Sequence, residues 1–586
     1  MNRNVIKARQ VQKPNSYPGD LFRITITLQD ASSGELVASE WAEGTEEKIF
    51  SMVDELTMKI KENFNLSEEE IAGDIDMEVG KITTNYPQAY RYFSEAEKHY
   101  YSGNYREAIR IGEKAIEIDP EFAMAYYGLA WCYWTMRYNA EARKYFLMAM
   151  KLIDRVSERE RLRIQGDFYI QSERRDKAIE VYERLLKLYP EDWIGNNSLG
   201  LIYNSMEEWD KGIERFEVNV KNKVENPYSY ENISFAYRAK GMYAKTEEIL
   251  RDHLKNISSH FFIHWQLTHT YLCQREFGLA MAEINKAISI NPNSYFNISL
   301  KGNIQLYKGD LDEAEKEYRR ILEIDEPAYQ RTGRGKLADL YVLQGEYERA
   351  REQVQQGIKL AEKTGEKVWA SGFYSYLAYL HLETGDFKQA LEECDKSWSA
   401  AVETGKKDLQ INALYWKGLS RLKLNSMDEA LRVADELKIL IEQGMNTKIM
   451  RFYFLLMGNI ELERKNFAEA IEYLENAIAL LSHQKGSGDD HALFIDSLAL
   501  AYNETQDLKK AQEEYEKIIS LTSGRLSWGD IYSRSFYMLG KIYEQKGWKG
   551  KAIENYEKFL DLWKDADPGM AEVEDAKNRL AELKKK

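Results

Sequence analysis

The chain has 586 residues, a formal net charge of −15 and only nine prolines. An acidic molecule lacks the basic footprint that nucleic-acid binding needs, so no nucleic-acid partner is expected. Scarce proline beside abundant Glu, Lys, Ala and Leu suits long helices, and the absence of any run of 18 apolar residues or of an apolar leader core predicts a cytoplasmic chain without membrane insertion.

Residues 1–80 read as a small α/β piece. VIKARQVQK (5–13) is a candidate strand. LFRITITL (21–28) alternates and is rich in β-branched residues, QDASSGE turns, and LVASEWAEG (36–44) returns as a hairpin. EEKIFSMVDELTMKIKENF (46–64) is amphipathic, with Thr45 placed to cap it. Three strands and one helix make a thin core.

From residue 86 a phrase repeats: a turn, an aromatic or leucine, then a small residue. The small residue falls at Ala108, Ala142, Ala178, Gly212, Thr246, Ala280, Ala314, Ala350, Ala390, Ala430, Ala470, Ala511 and Ala552, first at gaps of 34 to 36 residues and from Ala350 at gaps of 40 or 41. A fixed spacing of this length is the signature of a solenoid. Before each turn lies an apolar helical stretch, as in YYGLAWCYW (126–134). A glycine such as Gly103, Gly309, Gly345 or Gly385 closes it in the left-handed conformation, and a second helix returns antiparallel. The small residue marks the crossing, where a large side chain would not fit. Asp119-Pro120, Tyr189-Pro190, Asn291-Pro292 and Glu326-Pro327 end second helices, because proline biases its predecessor away from helix. After Ala350 the extra residues are expected between pairs, at 360–371, 401–412, 440–451 and 481–492, with a change in superhelical geometry near 350–370.

Few residues suggest chemistry. The phosphate-loop, kinase and zincin motifs are missing, so no catalytic or cofactor-binding residue is assigned and an enzyme is not expected. KGSGDDH (485–491) reads as a solvated linker between repeats. His260 and His264, four apart, allow metal ligation or packing; with no Cys or carboxylate at ligand spacing, no metal site is assigned. Cys132, Cys273 and Cys394 are odd in number and set in apolar helical stretches, so they read as buried small hydrophobes.

Gly200, Gly302 and Gly540, with Tyr133, Tyr203, Tyr271 and Tyr543 and the alanine series, resemble the tetratricopeptide repeat over residues 86–565. The resemblance implies a mainly α fold: an α-solenoid of about 13 helix pairs in a right-handed superhelix, with first helices lining a concave groove. It divides the chain into residues 1–80, arrays at 86–350 and 351–565, and a C-terminal capping helix at 566–586. The longer units look like those of bacterial peptide-sensing regulators and kinesin light chains. Groove positions of the family select Tyr127, Trp131, Trp134, Arg163, Asp167, Asn197, Phe235, Arg238, Trp265, His269, Asn303 and Asp339. Their mixture of aromatic and polar groups suits protein recognition, although each aromatic also has a reading as filler between repeats. Asn303 and Asn459 occupy an asparagine position of the carboxylate clamp of chaperone adaptors, but the companion lysines are missing, which disfavours capture of a chaperone tail.

The order of strand, D-A-x-x-G-E-L hairpin, E-W strand and I-F-x-x-x-D-E-L helix resembles the C-terminal half of a TolB-like domain of the FlgO type. In bacteria that module often precedes such repeats behind a serine/threonine kinase, cyclase or winged-helix domain. The leading elements of the module are absent before Met1, so the chain is expected to be the C-terminal part of a larger architecture or a descendant that lost it. Two functional readings follow. The first is a non-catalytic scaffold that binds a protein or peptide in the groove. The alternative is a ligand- or peptide-sensing regulatory region of a signalling protein.

Overall fold

The computed structural model describes residues 5–12, 21–29, 36–63, 84–224, 227–256 and 260–585. They form two compact units, residues 1–192 and 193–586.

The first unit begins with an antiparallel meander, β1 (Val5–Gln12), β2 (Phe22–Gln29) and β3 (Leu36–Gly44), in the order β1-β2-β3. All three expected strands are present. A short 3-10 turn, Glu46–Lys48, leads into the helix α1 (Ile49–Asn63). Met52 and Leu56 of α1 bury against Ala42, with Ile24 and Ile26 packed around them. Three helix pairs follow: Pro87–Tyr101 with Tyr105–Ile118, Ala123–Thr135 with Asn139–Lys151, and Glu158–Gln171 with Arg175–Leu188.

The second unit holds ten more pairs, from Trp193–Ser205 with Trp209–Lys221 to Gly529–Gln545 with Lys549–Leu562, and ends in the helix Ala571–Lys585. Ala576 of that last helix is buried, and Tyr537 donates to Asp575 across it at 2.8 Å. The whole is a repeat solenoid with a small N-terminal sheet.

Each pair is built on two backbone facts. The crossing residues are sealed: Ala108, Ala178, Ala314, Ala390 and Ala552, for example, are 0% exposed. Five positions before every crossing residue the backbone is left-handed, whether glycine stands there (Gly103, φ 81°; Gly385, φ 80°) or not (Arg137, φ 66°; Lys465, φ 62°; Gln506, φ 62°). A side chain at such a φ costs about 1–2 kcal/mol, so the chain accepts local strain in several repeats to keep one turn geometry. A third contact fixes the crossing itself. The rings of Tyr182, Tyr318 and Tyr556 lie flat on Gly166, Gly302 and Gly540, sixteen positions earlier, where a Cβ would come within 2.6 Å of the ring.

Three of the four proline steps act as expected; before Pro327 the second helix has already ended at Leu322, and Glu326 instead N-caps the next helix with Pro327 in its first turn. Asp119, Tyr189 and Asn291 leave the helix with φ between −127° and −134°.

The longer period is built differently from the expectation. In the pairs from Pro327 to Glu442 the added residues lengthen the helices themselves, as in Tyr347–Lys363 and Lys367–Glu383, and only 364–366 lie between them. The stretches LAEK and AVET carry strong helix formers, so the second helix runs on to a left-handed Gly365 or Gly405. At 440–451 the addition is a 3-10 turn, Thr447–Met450. Residues 481–490, with Gly486 and Gly488 at positive φ, form a non-helical connection.

Within the second unit the chain also meets itself at sequence separations of 190 to 250 residues. Most of the acceptors are carbonyls at the C-terminal ends of first helices, and Glu207 O belongs to the left-handed turn that follows one. Asn446 donates to Ser205 O at 3.3 Å, Lys448 to Glu207 O at 2.8 Å, and His483 N–H to Ala239 O at 2.9 Å. Thr522 Oγ1 donates to Leu272 O at 3.0 Å, and Ser533 and the Trp563 indole both reach Leu343 O, at 2.7 and 3.1 Å.

Two predictions isolate these devices. Lys465→Gly should raise stability in urea unfolding by about 1 kcal/mol, and Gly385→Ala, whose Cβ would meet open space, should lower it by a similar amount; opposite signs would contradict a turn-geometry constraint. Ala314→Leu should cost about 1–3 kcal/mol by overpacking the crossing, seen as a lower Tm.

Candidate functional site

The inner faces of the two units are built from the same register. Counting eleven positions back from each crossing residue gives Trp131, Asp167, Phe235, His269, Asn303 and Asp339, six of the twelve expected groove residues, and the same count gives Glu97 and Tyr379, which the sequence reading passed over.

In the first unit, Asp167 is 2% exposed and gathers three donors: the hydroxyls of Tyr127 (2.6 Å) and Tyr182 and the indole of Trp131 (3.2 Å). Burial pushes its carboxyl up to about 6, and the three hydrogen bonds and nearby Arg163 only partly oppose the shift. Tyr127, Trp131 and Asp167 are thus brought together, as one structural knot with the Trp131 edge half-buried at its rim. Trp134 packs on the cluster around Ala123 and Phe146. Arg163 is held by Asp192, with Nη2 2.5 Å from the buried carboxylate, and Arg159 joins at 2.5 Å.

Beside this knot stand Glu97 and Tyr101. Both keep contact with solvent, yet desolvation by the surrounding protein raises their pKa values, with Arg163 opposing. Exposed Glu97 and Tyr101 and half-buried Trp131 and Arg163 all lie on the first helices of residues 87–171, and the charge of Arg163 bears on both Glu97 and Tyr101.

In the second unit the expected residues are enclosed by the chain's own contacts. Asn197 accepts from Asn232 at 3.0 Å, Asn303 from Tyr318 at 2.8 Å, and Asp339 from Tyr376 at 3.0 Å and Lys336 at 3.1 Å. Burial raises Asp339 above the usual carboxylate range. Trp265 meets His269 edge-on at 4.2 Å, and burial holds His269 well below its ordinary pKa, so the imidazole is neutral. Arg238, 2% exposed, donates from Nε to Lys485 O at 2.6 Å, and the Lys485 ammonium lies 5.8 Å from the Phe235 ring centroid. The segment around Lys485 was expected to be a solvated linker. Instead Gly486 and Asp489 are buried, because the segment turns inward and Asp489 ties its amides and Ser523 together.

Further along, Asp530 is fully buried and accepts from Tyr379 (2.6 Å), Tyr347 (3.0 Å) and Arg534 (3.0 Å), and Arg534 also reaches Glu383 at 2.6 Å. Tyr379 was findable from the register; Asp530 and Arg534 follow no period. The histidine pair resolves into separate packing roles. His260 caps its helix by accepting from Phe262 N–H at 3.2 Å, and His264 bonds Glu283 at 2.6 Å. Among the described residues no group of three His, Cys, Asp or Glu side chains is assembled to hold a metal ion, and no helix is long and apolar enough to cross a membrane.

Comparison with known proteins agrees with this architecture. Tetratricopeptide repeat models match residues 93–152, 164–192, 300–364, 496–524 and 533–562, so the chain carries tetratricopeptide repeats. Among curated proteins no sequence matches. Of solved structures, a chain from the crystal structure of the APC/C hetero-tetramer Cut9–Hcn1 is similar at 13% identity, with 84% of this chain and 96% of that chain covered and a TM-score of 0.29.

The Asp167 knot predicts a pH effect. Its folded pKa of about 6 stands above the ordinary 3.8, so the folded chain takes up this proton first as the pH falls. The site therefore adds stability towards low pH, up to about 3 kcal/mol, and that contribution is lost as pH rises through about 6. Asp167→Asn should remove this component from the pH dependence of urea unfolding between about pH 7 and 4; identical pH slopes in the two proteins would contradict the burial argument.

Proposed function

We propose that the chain is a non-catalytic scaffold that binds a protein or peptide segment on the concave face of its tetratricopeptide repeats. The patch of Glu97, Tyr101, Trp131 and Arg163, which we read as a hollow between first helices, is the recognition surface. The observation that carries this reading is an exposed Glu97 on the same run of first helices as the half-buried Trp131, which its hydrogen bond to Asp167 holds in place. A Lys or Arg of a partner placed there would pair with the Glu97 carboxylate in a charge-assisted hydrogen bond. The net charge of −15 favours the approach of a basic partner over long range.

One observation favours the second reading, a peptide-sensing regulatory region. In residues 193–586 the inner-face side chains Arg238 and His269 are covered by another stretch of the same chain, an arrangement that a ligand can compete with.

The test of the scaffold is capture of partners from a lysate by the full chain, identified by mass spectrometry. Glu97→Arg should weaken capture of basic partners at least tenfold and flatten its salt dependence, and Trp131→Ala should weaken it without flattening it. Undiminished capture by both variants would remove the hollow from the binding surface.

A further inference from the structure

The connection between the helices Phe467–Ala479 and His491–Glu504 lies on the inner face of the helices Pro227–Ala239 and Phe261–Cys273. It is held there largely through its backbone. His483 N–H donates to Ala239 O at 2.9 Å, Gln484 O accepts from the Cys273 thiol at 3.2 Å and the Tyr243 hydroxyl at 3.4 Å, and Lys485 O accepts from Arg238 Nε at 2.6 Å. Three successive residues are thus read at main-chain atoms by groups that project from two neighbouring repeats. A repeat surface would hold an extended peptide in the same manner, with backbone hydrogen bonds giving affinity and a few side-chain positions giving selectivity.

Two positions are selective. Gly486 has φ +99°, and a Cβ there would fall 2.4 Å from His269 Nδ1, so only glycine passes over the imidazole. Lys485 places its ammonium towards the Phe235 ring and pairs with Asp489 at 2.8 Å. The Gln484 amide oxygen accepts from the N–H groups of Thr522 and Gly524, each at 2.9 Å. The fit is nevertheless incomplete. Arg238 Nη1 is buried with no hydrogen-bond partner, and a buried donor left unmatched weakens the hold on whatever covers it.

We infer that the inner face formed by Arg238, Tyr243, His269 and Cys273 is a recognition site for a peptide with a Gln-Lys-Gly core that turns at its glycine, and that residues 482–490 occupy it as an internal, displaceable ligand. The inference rests on the reading that concave repeat faces bind peptide, but it concerns a different surface from the hollow at Glu97. A peptide that adds an acceptor for Arg238 Nη1 would bind there more tightly than the chain's own segment.

Cys273 reports on occupancy, since the segment covers its thiol while Cys132 and Cys394 are buried elsewhere. In the full chain, Gly486→Ala should push the segment off His269 and speed modification of Cys273 by an aromatic disulfide reagent at least tenfold, with Cys273→Ser as the blank. Added peptide Ser-His-Gln-Lys-Gly-Ser-Gly-Asp-Asp should return the rate to that of the unaltered chain, and the same peptide with Ala for its first Gly should not. If Gly486→Ala leaves Cys273 as slow as before, the segment is a fixed part of the fold and the inference fails. If Cys273 is fast but the peptide gives no protection, the face is not a peptide site and the inference fails as well. Should the variant not fold, hydrogen exchange on the unaltered chain decides: amides of 483–486 should exchange faster with millimolar peptide, and unchanged exchange overturns the proposal. Loss of capture by Glu97→Arg alongside failure of the peptide would leave the scaffold reading intact and remove only this one.

Discussion

Two helices approach only as closely as the largest side chain between them allows, and in this chain that distance is set by a small residue that recurs from Ala108 to Ala552. The rest of the architecture depends on keeping this crossing constant. The left-handed residue five positions earlier aims the second helix back along the first, and it does so even at Arg137 or Lys465, where a side chain makes that backbone costly. Uniform crossings repeat one register, so the position eleven residues before each small residue recurs at the same place on every first helix.

The same register carries both solvent-reached and enclosed side chains. In residues 87–171 Glu97 and Trp131 stay in reach of solvent, while Asp167 is buried and accepts from the Trp131 indole. In residues 193–586 the equivalent positions Phe235, His269, Asn303 and Asp339 are absorbed into contacts with other parts of the chain. Enclosure follows the supply of internal partners: Tyr182 donates to Asp167 as Tyr318 donates to Asn303. The second unit provides donors such as Tyr318 and Tyr376 and the inward segment at 482–490, and a buried carboxylate or guanidinium is stable only where such partners exist.

The helix pairs, their thirteen crossings, the proline stops and the N-terminal hairpin were legible in the sequence because each rests on local chemistry: a periodic apolar stripe, a glycine, an X-Pro step, an alternating strand. Glu97 and Tyr379 are equally legible by register, eleven positions before Ala108 and Ala390. The inward segment was not legible. HQKGSGDD has the composition of a solvated loop, and nothing local to it reveals that Arg238, 247 residues away, accepts its backbone as a neighbour. Asp530, Ser533 and Trp563 likewise carry no periodic signal, since their partners lie in repeats far off along the chain. The resemblance of residues 1–80 to a TolB-like module concerns a segment outside the repeat matches, where three strands and one helix are too common an arrangement to identify a lineage.

Trp563 and Ser533 both end on the carbonyl of Leu343, and Asp567 N–H reaches Gly345 O at 3.1 Å beside them. An open repeat array is quasi-one-dimensional: each repeat answers only to its two neighbours, and the ends fray first. Here the last repeat is fastened to one in the middle, so the second unit has no free terminus from which to unzip. Losing the final helices would uncap a turn some 220 residues upstream, and the mechanics of the unit become those of a clasped loop, in which damage at the end is felt at the centre.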